Sequence, residues 1–437
     1  MTATKHSLDS GLARACEMAP NLALKALYVG DDAATQLAAF SREHAGQKCL
    51  VVSDANTRQV GGEVLLRALS AAGKSCTEKV FGSHPVDATD TLGDEVADAG
   101  VEVDFYVALG SGTLCDLAKH AGTKQNKPVL LFATAASMNG YTSGITALKV
   151  KGLKRTTPCT PAMGVWADPA VVAAAPQRMV ASGVGDFLSK GSSASDWRAA
   201  HFLRGEKFSE EAMEFYNGVQ ETVFDASEAV GRGDAAAIAI VLEALLLSGL
   251  SMLVAGSSSP ASGGEHLISH YLDMKQAMYG TEHDLHGVQV GVATVHCLKL
   301  WESVLALDPA KIDVEALVHA HPTASQIDAW IDEDWRGPVT DEVRAQWKLK
   351  ALDTAKLRAE LLALKSGLDT LKAQIRPQFI PSHTVANAIR LAGGPTEAEG
   401  MTAPIVEYRK ALARARYIRS RFTILDLAAE LGLSVVG

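Results

Sequence analysis

Short apolar runs recur through the first third of the chain, and each ends in a small or polar residue. The clearest runs cover residues 49–54, 105–109 and 129–133, and a weaker alternating segment covers 77–81. Continuous apolar runs of this length are typical of parallel strands that are buried on both faces. Because helical stretches separate them, the pattern predicts a parallel sheet wound with helices.

The pattern changes twice further along the chain. Residues 143–168 predict a β-hairpin with a Lys-Gly turn at 151–152, whereas residues 1–45 predict a helical leader and a connection. Helical periodicity dominates from about residue 176 to the end. We therefore predict an α/β domain over residues 1–175 and a helical domain over residues 176–437.

Three helical segments of the second half can be placed in more detail. Residues 238–253 are apolar nearly all round, which predicts a buried helix. A helix is also predicted through 408–422. Between them, five leucines at helical spacing predict packing against the domain or against a subunit partner. These are Leu357, Leu361, Leu364, Leu368 and Leu371.

Composition narrows the class of protein. Of the 437 residues 47% are hydrophobic and 21% charged, as in soluble globular proteins. The formal net charge of -9 argues against nucleic acid as the main partner. No uncharged apolar run reaches the roughly 18 residues of a membrane span. Six scattered cysteines without a CxxC pair, and no apolar leader, are typical of a reduced cytoplasmic protein.

Histidines concentrate in one stretch, residues 263–291, which holds His266, His270, His283 and His286. His266 and His270 are four residues apart and would project from one face of a helix. Together with a second segment they could converge on a divalent metal, since imidazole is a common metal ligand. The alternative is two core histidines and two solvated ones. The HExxH metalloprotease pattern is absent.

A glycine-containing turn follows the second apolar run and leads into a predicted helix. Glycines there allow the backbone to approach a phosphate, and the helix start supplies unpaired N–H groups. The pattern is neither GxGxxG nor a Walker A sequence, so a structural turn is the alternative. The residues of this turn are Gly110, Ser111, Gly112, Thr113 and Leu114.

Two other predicted strands also end in hydrogen-bonding residues. Asp54 ends the first run, where it could accept hydrogen bonds from an adenosine ribose or cap a helix. Residues 134–141 follow the third run. In a doubly wound sheet, ligands bind at the carboxyl ends of the strands. Three such strand ends predict a dinucleotide crevice.

Asp186 and Lys190 lie four residues apart near the start of the helical region. One interpretation is an ion pair on a helix surface. In the other, Asp186 supplies an oxygen ligand and completes a metal site with His266 and His286.

Six stretches together resemble the glycerol-1-phosphate dehydrogenases, within the superfamily of iron-containing alcohol dehydrogenases and dehydroquinate synthases. They recur in the family's order across almost the whole chain. The resemblance implies an α/β N-terminal dinucleotide-binding domain, an all-α C-terminal domain of the dehydroquinate synthase type, and an active site in the cleft between them. The stretches cover residues 110–119, 134–141, 185–190, 262–270, 285–291 and 418–427.

The resemblance also implies roles for individual residues. It assigns the metal to Asp186, His266 and His286, and a substrate contact to His270, but no role to His283. The pyrophosphate would lie against Gly110, Ser111, Gly112, Thr113 and Leu114. The rest of the nucleotide site would comprise Asp54, Thr134, Ser137 and Ser143.

One position departs from the family pattern. The family has an aspartate, a substrate contact, in its Ser-Met-Asp-Gly-Tyr stretch, where this chain has Asn139. The departure leaves the cofactor and metal sites unchanged but leaves the identity of the substrate open.

The activity implied is reversible, metal-dependent oxidation of sn-glycerol 1-phosphate, or of a related small anionic polyol, to a ketone. NAD(H) is expected to be preferred, with NADP(H) possible, and the metal to be zinc, nickel or iron. The alternatives are a sugar-phosphate cyclase, which restores its nicotinamide in each turnover, and a non-catalytic nucleotide or metal sensor. We expect a cytoplasmic homo-oligomer that binds a phosphorylated small molecule and neither nucleic acid nor membrane.

Overall fold

The computed structural model describes residues 3–82, 86–150 and 153–434, so the predicted turn at 151–152 lies outside the described residues. Eight strands form over that part of the chain. They are β1 (Ala26–Val29), β2 (Lys48–Asp54), β3 (Ser75–Phe81), β4 (Phe105–Gly110), β5 (Val129–Ala133), β6 (Ile145–Val150), β7 (Leu153–Pro158) and β8 (Gly164–Ala167).

Helices make up most of the remaining described residues. The first twelve are α1 (Ala3–Met18), α2 (Ala33–His44), α3 (Ala55–Thr57), α4 (Glu63–Ala71), α5 (Asp90–Ala99), α6 (Gly112–Gln125), α7 (Pro169–Ala173), α8 (Gln177–Leu188), α9 (Lys190–Arg204), α10 (Glu210–Asn217), α11 (Gln220–Gly231) and α12 (Ala235–Ala255). The others are α13 (Gly264–Tyr279), α14 (His286–Ala306), α15 (Val314–Ala320), α16 (Ala324–Asp334), α17 (Pro338–Lys348), α18 (Thr354–Ile375), α19 (Ser382–Leu391), α20 (Ile405–Arg414) and α21 (Ile424–Glu430).

The chain divides into two compact units. The α/β unit comprises Met1–Phe187, Glu211–Ser257 and Leu391–Gly394. The helical unit comprises Leu188–Glu210, Ser258–Arg390 and Pro395–Gly437. The domain boundary placed after residue 175, and the active site expected in a cleft, stay predictions.

A six-stranded parallel sheet organises the α/β unit, as the apolar runs predict. Its order is β1-β8-β5-β4-β2-β3. The chain leaves β2 towards β3 on one side, and leaves β4 towards β5 on the other. Such a reversal between neighbouring strands is the switch point at which doubly wound sheets bind ligands.

The pattern was wrong about two strands of this sheet. β1 falls within the segment expected to be helical, because a four-residue run is too short to stand out from its helical neighbours. The predicted hairpin is limited to β6 and β7, whose pairing ends at Pro158. The segment assigned to its second arm instead contains β8, which lies parallel between β1 and β5.

Helices α2 and α4 cover one face of the sheet. Leu65 and Leu69, one helical turn apart on α4, are fully buried with Cys49 and Val51 of β2. This spacing places the apolar side chains of a helix on the face that meets the strands.

Helix α12 confirms the prediction of a buried apolar helix. It is long and apolar enough to cross a membrane by composition, but 78% of its most apolar window is buried inside the structure. A core helix of a globular protein has this character. The side chain of Asp234 caps its first turn by accepting from the N–H of Ala237.

Helix α18 carries the leucine stripe of the helical unit. All five leucines are buried within this structure, which confirms that the stripe packs against the protein. The helix predicted through residue 422 is shorter than expected. Regular helix ends at Arg414, a short 3₁₀ turn follows, and Arg419 is extended. The chain straightens there before Thr423 and Asp426 form the capping box of α21.

Candidate functional site

The three strand ends expected to bind a nucleotide lie side by side. β4 ends at Gly110, between β2, which ends at Asp54, and β5, which ends at Ala133. All three strands are parallel, so their carboxyl ends meet at the same edge of the sheet. The sheet thus brings together the segments that the sequence singled out.

The turn after β4 leads directly into α6. Ser111 occupies the N-cap position in an extended conformation, and its side chain makes no capping hydrogen bond. The helix has 14 residues, so its first-turn N–H groups and positive dipole end face the sheet edge. Packing favours glycine at Gly110, because a Cβ there would lie 2.8 Å from Cβ of Leu114.

Asp54 caps the short helix that follows β2. Its Oδ1 accepts from the N–H of Thr57 at 2.7 Å, and its own N–H donates to Oγ1 of Thr57 at 3.0 Å. The prediction that Asp54 could cap a helix is therefore confirmed. The cap uses one carboxylate oxygen, and the role of Asp54 at a ribose stays a prediction.

The loop after β5 is wedged between helices α8 and α12. Gly183 of α8 approaches it so closely that a Cβ would lie 1.8 Å from the carbonyl oxygen of Ala136. A Cβ at Gly249 of α12 would lie 2.5 Å from the carbonyl oxygen of Asn139. On the loop, Thr142 donates to the carbonyl of Leu246 at 2.8 Å. Gly183 and Gly249 thus allow the two helices to pack directly against the backbone of this loop.

The hydroxyl residues assigned to the nucleotide differ in their surroundings. Ser143 is buried, and its Oγ donates to the carbonyls of Gly140 at 3.0 Å and Ile145 at 3.3 Å. Thr134 is also buried, whereas Ser137 is half-buried. The geometry around Ser143 describes a residue that shapes the loop, and its contact with a nucleotide stays a prediction.

Lys119 is a structural residue of this region that the sequence reasoning did not single out. It is fully buried on α6, and its Nζ donates to the carbonyls of Gly140 at 2.9 Å and Ile145 at 2.8 Å. Asp116 lies 3.2 Å from the same nitrogen. The lysine therefore ties α6 to the loop after β5. The three-residue spacing of Asp116 and Lys119 on α6 was the signal that could have paired them.

Asp186 is fully buried near the end of α8. One of its oxygens accepts from the backbone N–H of Asn139 at 2.9 Å. The side-chain amide of Asn139 donates to Oγ of Ser248 at 3.1 Å. Since Asp186 and Lys190 are both buried, the interpretation as a surface ion pair is wrong.

His266 lies in the first turn of α13, and a carboxylate holds its ring. Its Nδ1 is 2.9 Å from Oε1 of the fully buried Glu265. Burial alone would raise the pKa of Glu265, but the bond from His266 and that from the N–H of Gly263 bring this pKa below its usual value. A carboxylate only accepts, so Nδ1 carries the hydrogen and Nε2 is the basic nitrogen.

Further donors fix Glu265 itself. Ser192 donates to its Oε2 at 2.9 Å, and the N–H of Gly263 donates to its Oε1 at 2.6 Å. The sequence pattern did not single out Glu265. Its position directly before a candidate ligand was a signal, but adjacent helical residues do not normally face each other.

His286 begins α14, and a chain of polar side chains holds its ring. Its Nδ1 lies 3.1 Å from Oγ of Ser269, which accepts from Nε2 of Gln289 at 3.2 Å. The same nitrogen of Gln289 lies 2.9 Å from Oδ1 of Asp273. The ring centroids of His266 and His286 are 5.2 Å apart. Sequence reasoning missed these supporting residues.

The other two histidines of the stretch have different positions. The ring of His270 lies 6.0 Å from that of His286 and 6.3 Å from that of His266, centroid to centroid. The shared helix face expected for His266 and His270 is confirmed. His283 is exposed, and its carbonyl accepts from Thr402.

Asp196 anchors the start of α13 from a buried position on α9. Its Oδ2 accepts from the N–H of Gly264 at 2.7 Å. Its Oδ1 accepts from the indole of Trp301 at 2.8 Å and from the N–H of Ile424 at 3.0 Å. Burial raises the pKa of Asp196 well above its usual range, Glu265 adds to the effect, and the three donors oppose it.

The α/β unit supplies one side chain that can ligate a metal, Asp186, and the helical unit supplies two, His266 and His286. A joint metal site of the three stays a prediction. One carboxylate and two imidazoles are ligands that zinc, nickel and iron(II) all accept.

Comparison with known proteins identifies the family. The chain is 33% identical to glycerol-1-phosphate dehydrogenase [NAD(P)+] of Bacillus velezensis over 271 residues, which are 61% of this chain and 69% of the relative. It is 32% identical to the enzyme of that name from Thermococcus kodakarensis over 297 residues, covering 63% and 82%. The chain belongs to the glycerol-1-phosphate dehydrogenase family. Residues 28–176 also match the family model described as iron-containing alcohol dehydrogenase.

Solved structures show the same fold for this glycerol-1-phosphate dehydrogenase family member. NADH-dependent butanol dehydrogenase A of Thermotoga maritima has a TM-score of 0.59 at 13% identity, covering 95% of this chain and 98% of that one. The iron-containing alcohol dehydrogenase of Thermococcus thioreducens has a TM-score of 0.59 at 14% identity, covering 94% and 96%. The α/β plus helical fold class predicted from the sequence is confirmed.

Proposed function

We propose that this protein is a metal-dependent dehydrogenase that interconverts sn-glycerol 1-phosphate and dihydroxyacetone phosphate with NAD(H) or NADP(H). The observation that carries the proposal is the presence of Asp186, His266 and His286 in a chain whose relatives are named for this activity. As a working enzyme we expect a cytoplasmic homo-oligomer.

The donor set fits a resident divalent metal. His266 and His286 each have Nδ1 engaged, by Glu265 and Ser269 respectively. An imidazole that ligates a metal through Nε2 donates its Nδ1 hydrogen to a neighbouring acceptor. Glu265 and Ser269 are such acceptors, so Nε2 of each histidine is left for the metal. A bound metal would act as a Lewis acid that polarises the substrate carbonyl and stabilises negative charge on its oxygen.

The nucleotide would lie along the carboxyl ends of β2, β4 and β5. The uncapped first turn of α6 offers backbone N–H groups to the pyrophosphate, with Thr113 as a further donor. Asp54 would accept from the adenosine ribose with the oxygen that its helix cap does not use. The nicotinamide would supply or take up the hydride.

His270 and Asn139 are the residues we assign to the substrate. His270 can donate a hydrogen bond to a substrate oxygen or pass a proton to it. Asn139 is held at both its backbone and its side chain, by Asp186 and Ser248. A side chain held in this way can orient a small substrate without moving when it binds.

The test is a substrate panel followed by NADH and NADPH absorbance, using chelator-stripped protein reloaded with zinc, nickel or iron(II). We expect turnover with dihydroxyacetone phosphate that needs the metal and is lost in His266→Ala. His283→Ala is the matched control on the same stretch and should retain activity. Turnover in metal-free protein would disprove the ligand assignment, and turnover only with another ketone would disprove the substrate.

The same experiment excludes the two alternatives. A cyclase restores its nicotinamide within each turnover and so consumes no NADH. A sensor binds nucleotide or metal without steady turnover. Stoichiometric conversion of NADH with dihydroxyacetone phosphate contradicts both.

A further inference from the structure

Two of the six cysteines lie in contact on neighbouring strands of the α/β unit. Cys49 of β2 and Cys76 of β3 are register partners in parallel strands. Their Sγ atoms are 2.9 Å apart. The sequence gives no hint of this contact, since 26 residues separate the two positions.

The backbone geometry is compatible with a covalent bond between these sulfurs. Neighbouring strands lie about 4.8 Å apart, and disulfides usually join Cα atoms about 4.4–6.8 Å apart. Register partners of parallel strands also direct their side chains to the same face of the sheet. The strands therefore need no rearrangement to bring the sulfurs together.

The two thiols differ in accessibility. Cys49 is fully buried in the core between the sheet and helices α2 and α4, whereas Cys76 is half-buried against that core on the edge strand. The contact with Cys49 lowers the pKa of the Cys76 thiol below its usual value, against the effect of burial. Of the two cysteines, only Cys76 is partly open to solvent, and Cys49 lies behind it in the core.

We propose that Cys49 and Cys76 form an oxidation site that closes to a disulfide with a small-molecule disulfide such as oxidised glutathione. The Cys76 thiolate attacks one sulfur of the oxidant, forms a mixed disulfide and releases one glutathione thiolate. Cys49 loses its proton to solvent, attacks Sγ of Cys76 and expels the second glutathione. Two protein thiols are oxidised, and one glutathione disulfide is reduced to two thiols.

Closing the bond would fasten the edge strand β3 to β2. Edge strands are held on one side only, so a covalent link to the neighbour restricts their opening. The cross-link would join the strands near the start of β2, whereas Asp54 lies at the other end of that strand. The oxidised protein is therefore expected to keep its nucleotide site while β3 opens less often.

The test incubates the folded full-length protein with excess oxidised glutathione, removes the reagent and alkylates the remaining thiols. We expect two of the six thiols to disappear, a mass lower by two hydrogen atoms, and one cross-linked peptide containing Cys49 and Cys76. Hydrogen exchange in β3 should slow in the oxidised protein and recover after reduction.

Three comparisons make the result decisive. Cys49→Ser should stop at the mixed disulfide and retain one glutathione on Cys76. Cys115→Ala removes another buried thiol of the same unit and should leave the cross-link intact. Wild-type protein in urea should lose the preference for this pair. Stable glutathione on Cys76 of the folded wild type, or free alkylation of both cysteines after oxidation, would overturn the proposal.

Discussion

Single side chains decide how the two candidate imidazole ligands are presented. Glu265 is the residue on which this depends most, because it is fully buried and bonded to Nδ1 of His266. Glu265→Gln keeps the shape but replaces the charged acceptor behind the ring of His266 with a neutral one. We expect metal affinity to fall about 10- to 100-fold.

Competition with a fluorescent chelator measures this affinity without relying on turnover. Glu282→Gln, at an exposed position just beyond α13, is the matched control and should bind metal as the wild type does. Unchanged affinity in Glu265→Gln would show that this carboxylate only stabilises the fold.

Asn139 is the residue at which the chain departs from its family's pattern. Its amide already donates to Ser248, and its backbone N–H to Asp186. Asn139→Asp removes the side-chain donor to Ser248 and adds a negative charge beside the buried carboxylate of Asp186. We expect kcat/KM for dihydroxyacetone phosphate to stay the same or fall. A clear rise would instead show that the native site is adapted to a different substrate.

Asp54 combines a cap with a proposed contact to the ribose. A carboxylate there should disfavour the 2′-phosphate of NADP(H), so we predict a preference for NAD(H). Asp54→Asn retains a good capping residue and removes only the charge. The ratio of kcat/KM for NADH over NADPH should therefore fall in this variant. If the ratio equals that of the wild type, Asp54 does not lie at the ribose.

At the scale of elements, α12 carries a titratable group inside an apolar helix. Burial raises the pKa of Glu243 to about 7. The folded state thus holds this proton more tightly than the unfolded state, whose carboxyl titrates near 4.5. Stability from this group is complete below about pH 4.5 and is lost as pH rises through 7, by up to about 3 kcal/mol.

Glu243→Gln should therefore raise the urea midpoint at pH 8 more than at pH 5. Glu221→Gln, at an exposed position of α11, is the control and should leave the pH dependence unchanged. Equal effects of Glu243→Gln at both pH values would mean that the carboxyl ionises as freely in the folded protein as in the unfolded one.

At the scale of the whole molecule, the metal should contribute to stability as well as to activity. A ligand that binds only the native state stabilises it, by about 2.7 kcal/mol at a free concentration 100 times its Kd. Chelation should thus abolish turnover and lower the Tm, and added metal should restore both. The Tm of His266→Ala should not respond to metal, and a response equal to that of the wild type would place the binding site elsewhere.

Local pattern by itself determined much of the architecture. The apolar runs predicted β2, β4 and β5 together with the polar residues at their ends, because a buried strand needs continuous apolar side chains. Helical spacing likewise placed His266 and His270 on one face, and the leucines of α18 in the core. Each of these features depends on the spacing of residues within one strand or one helix, so it can be predicted from the local sequence.

Only the tertiary structure decided which distant residues meet. The position of β8 between β1 and β5, the loop held by Gly183 and Gly249, and the bond of Lys119 to the loop after β5 all join segments far apart in sequence. The support of His286 by Ser269 and Gln289, and the contact of Cys49 with Cys76, have the same origin. Such contacts follow from chain topology and packing, which periodicity does not encode, because a period describes one element and not its partner.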